Sequence, residues 1–261
     1  MNRIDKTFLE LKKTKKKAFI VYLTVGFPNV ATTEKLVLAL AEAGVDIFEL
    51  GIPFSDSLAD GPVIQEASAY ALKKGVSLNV VLSLAHRLRK KVDKPLLLMG
   101  YYNQILQFGI ERFASTARAQ GVDGLIIPDL PIEESAQLDK ESRRNKIHLI
   151  NFITPTTDLK RAKAIAKKSK GFIYYVSLTG TTGVRNRLPY DIKNRVRSIK
   201  KIVKIPICVG FGISNKEQFR HIASFSDGAI IGSALISTIK KHLKNKNLVS
   251  IVTGFARNIS S

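Results

Sequence analysis

The sequence of 261 residues contains no tryptophan and only one cysteine, Cys208. A single cysteine cannot form an intrachain disulfide bond, so a disulfide-stabilised fold is excluded and a reducing compartment, the cytoplasm, is expected. No run approaches 18 consecutive apolar residues, which argues against a membrane-spanning helix. The amino-terminal residues lack an apolar segment followed by a small-residue cleavage site, so we expect neither a secretory signal nor a membrane partner.

Acidic residues are scarce beside basic ones: 21 Asp and Glu stand against 42 Lys and Arg, a formal charge of +21. The basic residues recur in runs such as 12–17, 160–170 and 193–204, interleaved with apolar residues at helical spacing. This pattern is typical of solvated helix faces, and no zinc-finger, recognition-helix or stacking-aromatic motif accompanies it. We therefore expect no specific nucleic-acid partner, only weak and salt-sensitive attraction to polyanions.

Eight short apolar runs alternate with segments whose apolar residues recur every three or four positions. The runs predict strands buried on both faces, over 19–24, 45–50, 95–99, 122–127, 147–153, 172–177, 205–209 and 228–231. The other segments predict helices, over 3–12, 31–43, 63–73, 78–91, 110–120, 133–144, 159–169, 190–202, 215–222, 233–243 and 247–257. Strand–helix alternation implies a parallel sheet. Eight units without a linker favour an α/β fold, a single-domain (β/α)8 TIM barrel over residues 1–261 with extra terminal helices.

Glycines follow the last three predicted strands, where a barrel enzyme binds its ligand. They are Gly183, Gly212 and Gly232, and Ser233 opens the next helix. Glycine lets the backbone approach an anion closely, and helix amino-terminal amides attract negative charge. We predict a phosphate site here, the alternative being that these glycines only form tight turns. No nucleotide-binding fingerprint occurs, so a small phosphosugar-like ligand is expected.

Two carboxylates are candidates for proton transfer. Glu49 ends an apolar strand, where loss of solvent raises the pKa of a carboxyl toward neutrality. Asp60 follows in a loop that can fold back over the same end of the barrel. The alternatives are a salt bridge or, for Asp60 just before Gly61 and Pro62, a helix N-cap. The Cys and His residues form no nucleophilic or metal-ligating pattern, so no metal is expected.

Five segments resemble the signature of the tryptophan synthase alpha subunit family, in the expected order over essentially the whole chain. They are ELGIPFSD at 49–56, ADGP at 59–62, PDLPIEE at 128–134, GFGIS at 210–214 and GSA at 232–234. The resemblance implies a lyase of tryptophan biosynthesis that cleaves indole-3-glycerol phosphate to indole and glyceraldehyde 3-phosphate by retro-aldol chemistry. It gives Glu49 the proton-shuttling role and places Asp60 at the indole nitrogen.

The resemblance also implies a substrate pocket and a partner. Walls of the indole pocket would be Tyr22, Tyr174 and Phe211, with Tyr174 able to hydrogen-bond near Glu49, although Tyr22 fits ordinary barrel core equally well. Thr182, in a lid over 179–187, would bond Asp60. The phosphate would meet Gly183, Gly212, Gly232 and Ser233. No cofactor is implied in this chain. Pyridoxal phosphate is expected in a beta subunit, within an alpha2beta2 complex, contacted by Pro53, Asp56, Asn103 and Pro131.

Three residues depart from the family pattern. Ser57 stands where the family usually has proline, Gln104 where proline is common, and Thr181 where valine is usual. None of them removes a catalytic group. Two other functions stay open: another phosphosugar-binding barrel isomerase, and a non-catalytic barrel that mainly activates a beta subunit. The presence of both Glu49 and Asp60 disfavours each.

Overall fold

A closed barrel of eight parallel strands forms the centre of the molecule. The computed structural model describes residues 1–176, 192–210 and 212–260. Each strand pairs with the next in chain order, and the last pairs with the first, which confirms the predicted (β/α)8 class. The strands are β1 (Ala18–Thr24), β2 (Ile47–Gly51), β3 (Leu96–Met99), β4 (Gly124–Ile126), β5 (His148–Ile153), β6 (Ile173–Val176), β7 (Ile207–Gly210) and β8 (Gly228–Ile231).

Helices surround the barrel and close its amino-terminal end. Those in the described residues are α1 (Arg3–Lys13), α2 (Val30–Glu42), α3 (Pro62–Lys73), α4 (Leu78–Arg89), α5 (Tyr102–Phe108), α6 (Ile110–Ala119), α7 (Ala136–Arg144), α8 (Leu159–Lys168), α9 (Ile192–Lys200), α10 (Lys216–Ala223), α11 (Ser233–Lys241) and α12 (Leu248–Ser260). The extra terminal helices are α1 and α12, as expected. Over the described ranges, none of these helices has the length and apolarity needed to cross a bilayer.

The predicted strand ends agree with the observed ones within two residues, whereas one helix was not predicted and two predicted helix ends differ by three residues. The short helix α5 is the one that was not predicted, and the helix predicted over 247–257 continues to Ser260. The helix predicted over 133–144 begins at Ala136. The preceding residues form turns instead, because the Glu134 amide donates to the Pro131 carbonyl and the Ser135 hydroxyl donates to the Ile132 carbonyl.

Alternate residues of each strand fill the barrel interior. Ile20 and Ile47 belong to one buried cluster inside the barrel, and Phe8 of α1 packs against that cluster at the amino-terminal end. Because side chains two residues apart on a strand share a face, Tyr22 and Glu49 face the same interior one layer nearer the carboxyl end. The register also pairs Tyr22 of β1 directly with Glu49 of β2. The strand period therefore places an acid and an aromatic at the mouth of the barrel.

Candidate active site

A cavity opens at the carboxyl end of the barrel, as the fold class predicts. It brings together six of the predicted site residues: Tyr22, Glu49, Tyr174, Gly212, Gly232 and Ser233. Residues to which the sequence analysis gave no role of their own complete the lining: Ile64, Met99, Val176, Gly210, Ile213, Ile230 and Ala234. Thr182, Gly183, Phe211 and the lid predicted over 179–187 lie outside the described residues. Within the described ranges, no three His, Cys, Asp or Glu side chains group as they would around a metal ion.

Glu49 is the acid of this cavity. It is 0% exposed, and within the described part of the chain neither carboxyl oxygen has a hydrogen-bond partner. Burial raises the pKa of Glu49 to about 8, because an ionised carboxylate without partners is costly away from water. The salt-bridge alternative is therefore wrong for Glu49 among the residues described. At neutral pH the side chain is mainly a neutral acid that can give a proton to a bound molecule.

Asp60 is buried at the edge of the same end of the barrel. Its Oδ2 accepts a hydrogen bond from the Tyr101 hydroxyl at 3.1 Å. Burial raises the pKa of Asp60 to about 6, and the bond from Tyr101 partly opposes that rise. The N-cap alternative is wrong, because Gly61 occupies the N-cap position of α3 without a side-chain cap bond. Asp60 is thus mainly ionised near neutral pH and suited to accept an N–H hydrogen bond.

Tyr101 is a site residue that the sequence reasoning missed. Its hydroxyl donates to Asp60 and accepts from the Ala59 amide at 3.1 Å. Its ring stacks on Phe54 with centroids 5.2 Å apart and an interplanar angle of 28°. A signal was available, since Tyr101 comes two residues after the end of β3, at the carboxyl end of the barrel where a barrel enzyme places its chemistry. The contact itself crosses two loops, which no local pattern reports.

Two further tyrosines form neutral walls of the cavity. The Thr24 hydroxyl donates to the Tyr22 hydroxyl at 3.3 Å, and the Tyr22 ring lies over Gly51, where a Cβ would collide with it. The Tyr174 ring lies over Gly210 in the same way. Burial, with smaller contributions from nearby carboxylates, raises the pKa of both phenols well above its usual value. Tyr174, which the resemblance made able to hydrogen-bond near Glu49, makes no hydrogen bond to the Glu49 carboxyl group itself.

Glycine and a helix start form another part of the cavity lining. Gly212 has a φ of +30°, in the left-handed region that side chains rarely adopt. Gly232 is the N-cap residue of α11, and Ser233 is its first residue. The amides of a first helical turn lack partners within the helix and carry partial positive charge. This corner of the cavity therefore suits a phosphate group.

The four residues predicted to contact a partner all lie at the carboxyl end, Asn103 in the first turn of α5 and the other three in loops. Asp56, Asn103 and Pro131 are exposed. Pro53 is buried, and its carbonyl accepts a hydrogen bond from the Gln104 side chain at 3.0 Å. Three of the four side chains are thus available to another protein, and the interface itself stays a prediction.

Known proteins match this chain over its whole length. The family described as tryptophan synthase alpha chain matches residues 8–258. The tryptophan synthase alpha chain of Caldanaerobacter subterraneus subsp. tengcongensis is 43% identical over 259 residues, 99% of this chain and 98% of that relative. The crystal structure of the alpha chain from Legionella pneumophila subsp. pneumophila superimposes with a TM-score of 0.92 at 37% identity, covering 100% of this chain and 96% of that one. A structure of Mycobacterium tuberculosis tryptophan synthase gives 0.90 at 31% identity, covering 100% and 99%. With the motifs and the barrel geometry, these matches show that the chain belongs to the tryptophan synthase alpha chain family.

Proposed function

We propose that this chain is a carbon–carbon lyase that cleaves indole-3-glycerol phosphate into indole and glyceraldehyde 3-phosphate, the alpha reaction of tryptophan biosynthesis. The observation that carries the proposal is Glu49, a fully buried carboxyl group without a partner among the described residues, facing a cavity. The same cavity holds the glycine corner at Gly212, Gly232 and Ser233. A proton donor and an anion site in one cavity match a phosphorylated substrate whose bond cleavage requires protonation.

Protonation of the indole ring is the step that needs Glu49. Expulsion of an indole carbanion is unfavourable, so carbon 3 of the ring must first accept a proton. A carboxyl group with a pKa of about 8 is protonated at neutral pH and can supply it. The resulting carboxylate then takes the proton of the adjacent substrate hydroxyl. The carbon–carbon bond breaks, its electron pair returns to the ring, and the aldehyde of glyceraldehyde 3-phosphate forms.

Asp60 has a different task because its surroundings differ. Its pKa of about 6 leaves it mainly ionised at the pH at which Glu49 is mainly protonated. Two carboxyl groups with separated pKa values divide the acid and acceptor roles. We assign Asp60 to the indole N–H, where a carboxylate disperses the positive charge that forms when the ring is protonated.

The phosphate of the substrate is assigned to the corner formed by Gly212, Gly232 and Ser233. A side chain at Gly212 would be strained at its φ of +30° and would block approach of an anion to the backbone. Gly212→Ala is therefore expected to weaken competition by glyceraldehyde 3-phosphate with the substrate. Unchanged inhibition by that product would show that the phosphate binds at another place in the protein.

We further propose a beta subunit as partner, assembled as alpha2beta2 in the cytoplasm, with pyridoxal phosphate bound by the partner. Asp56 and Pro131 on loops and Asn103 at the start of α5 are exposed at the carboxyl end and are candidates for the contact. Indole is apolar and diffuses away readily, so a partner seated over the mouth of the barrel retains it. The buried free thiol of Cys208 supports a reducing compartment.

Indole release from indole-3-glycerol phosphate, with and without a cognate beta subunit, tests the proposal. Release of equimolar indole and glyceraldehyde 3-phosphate is expected, faster with the partner. Activation of the beta subunit without any indole release would favour the non-catalytic alternative. Turnover of another phosphosugar without cleavage would favour an isomerase.

A further inference from the structure

The segment between β2 and α3 carries Asp60 and contains neither helix nor strand. Such a segment holds a side chain in place only through contacts with neighbouring elements. At its start, the Ile52 amide donates to the Met99 carbonyl at 2.7 Å. Farther along, the Gln65 side chain donates to the Ser57 carbonyl at 3.1 Å. Between these two bonds the segment is held from helix α5.

Gln104, in the first turn of α5, forms that connection. Its Nε2 donates to the Pro53 carbonyl at 3.0 Å, and its Oε1 accepts from the Tyr101 amide at 3.3 Å. The side chain is half-buried, so water competes less for these bonds. A side-chain amide suits this place because it offers a donor and an acceptor together. One residue thus joins the helix start to the loop.

Tyr101 connects these bonds to the proposed chemistry. Its hydroxyl donates to Asp60 at 3.1 Å and accepts from the Ala59 amide at 3.1 Å. Its ring stacks on Phe54, also in the loop. Gln104 therefore holds the backbone of Tyr101 on one side and the beginning of the Asp60 loop on the other.

We propose that Gln104 is a positioning residue for Asp60. Its two hydrogen bonds keep the Pro53 carbonyl at a fixed position relative to the Tyr101 backbone. The proposal rests on the proposed function, in which Asp60 contacts the substrate. Proline at position 104 would make neither bond, so the connection depends on the glutamine of this chain. The two bonds of Gln104 restrain the loop over 52–61. This restraint matters because Ser57, in the same loop, lacks the backbone restriction that proline would impose.

Substitutions at Gln104 test both of its bonds. Gln104→Met keeps the length and removes both bonds, whereas Gln104→Glu keeps the acceptor for Tyr101 and loses the donor to Pro53. Both are expected to lower kcat for indole release about tenfold. KM should stay within about twofold, because the phosphate corner is untouched. Gln107→Met, at an exposed position of the same helix, is the matched control and should retain the parent kinetics.

A double-mutant cycle separates positioning from general stability. If Gln104 acts through Tyr101, Gln104→Met lowers kcat far less in a Tyr101→Phe background than in the parent chain. Parent-like kcat in Gln104→Glu would mean that only capping of α5 matters. An undiminished effect of Gln104→Met in the Phe background would mean that it acts by another route. Either result overturns the proposal.

Amide hydrogen exchange without substrate separates this proposal from the proposed function. Exchange across residues 52–61 is expected to be faster in Gln104→Met than in the parent chain or in Gln107→Met. Faster exchange in a chain that releases no indole would refute the proposed function and support the restraint by Gln104. Unchanged exchange would refute the positioning role, whatever the rate of indole release.

Discussion

Acidic side chains are buried at both ends of the barrel, but their surroundings differ. At the amino-terminal end, Asp123 is 1% exposed and bonds Arg89 at 2.7 Å, Arg3 at 3.2 Å and the Leu96 amide at 3.0 Å. At the carboxyl end, Glu49 is as deeply buried and has no partner among the described residues. The partners of Asp123 offset the cost of burying its charge, whereas no residue in the described ranges offsets that cost for Glu49.

Two more acids at the amino-terminal end repeat the paired arrangement. Asp46 accepts from the Phe19 amide at 2.9 Å, and Asp227 accepts from the Ile207 amide at 3.0 Å. Lys200 lies 2.6 Å from Asp227. These acids satisfy amides near strand starts and have a basic neighbour, which is a structural task. The comparison teaches that a buried acid without a partner in the described residues, on a barrel that pairs Asp46, Asp123 and Asp227, marks the candidate site of chemistry.

Removal of the Glu49 carboxyl should have the largest effect. Glu49→Gln is expected to lower kcat for indole release by roughly 10²–10⁴-fold, because the amide cannot transfer a proton. The midpoint of thermal unfolding near neutral pH should not fall below that of the parent and should rise, since no partner is lost and the neutral amide need not take up a proton on folding. Parent-like turnover in this variant, with the fold verified by circular dichroism, would contradict the proposed mechanism.

Replacement of Asp123 should lower stability and leave activity unchanged. Asp123→Ala leaves Arg89 without its carboxylate partner and should lower the free energy of unfolding by about 3–5 kcal/mol. The kcat per folded molecule should stay close to that of the parent. Urea unfolding and indole release, measured on the same preparation, check both statements. A stable but inactive Asp123→Ala protein would contradict the assignment of structural acids to the amino-terminal end and of the catalytic acid to the carboxyl end.

The free energy of unfolding should depend on pH because Glu49, at the carboxyl end of the barrel, has a different pKa in the folded and the unfolded chain. The folded-state pKa of Glu49, about 8, exceeds the usual value of 4.5, so the folded protein binds the proton more tightly than the unfolded chain. Its contribution is therefore favourable at low pH and is lost as the pH rises from about 4.5 to about 8. That loss amounts to a few kcal/mol at about 1.4 kcal/mol per pKa unit. Glu49→Gln should flatten this dependence, and equal slopes for both proteins would contradict the shift.

Loss of the Tyr101 hydroxyl should have a moderate effect. Tyr101→Phe removes the hydrogen bond that lowers the pKa of Asp60, so that pKa should rise further. The limb of the kcat/KM profile assigned to Asp60 should then move to higher pH, with a several-fold lower kcat near neutrality. A profile that coincides with the parent's would show that Asp60 does not need this partner.

The smallest effect is expected from exposed lysines at the end of α1 and just after it. Lys12, Lys15 and Lys16 lie at the amino-terminal end, roughly 20 Å from the cavity along the seven residues of β1. At physiological salt this separation exceeds the Debye length of about 8 Å. Replacement of all three by Gln should leave kcat/KM within about twofold at that salt concentration. A larger drop would mean that the amino-terminal end steers the substrate.

The fold was predictable because the signals for it are local. Alternating apolar runs and helical segments predict eight strand–helix units, and only boundaries such as the start of α7 and the short helix α5 differ. The same periodicity places Glu49 on the interior face with Ile47, two residues before it. The candidate acid and the glycine corner therefore follow from the order of residues along single strands.

The sequence by itself determined the barrel, the inward direction of Glu49 and the position of Gly212 and Gly232 after their strands. Only the tertiary structure decided that Glu49 lies without a partner in the described residues, that Asp60 meets Tyr101 and that Gln104 holds Pro53. Periodicity is a property of one strand or helix, so it can be read locally. Contacts between loops separated by 41 or 51 residues exist only when the closed barrel brings those loops together.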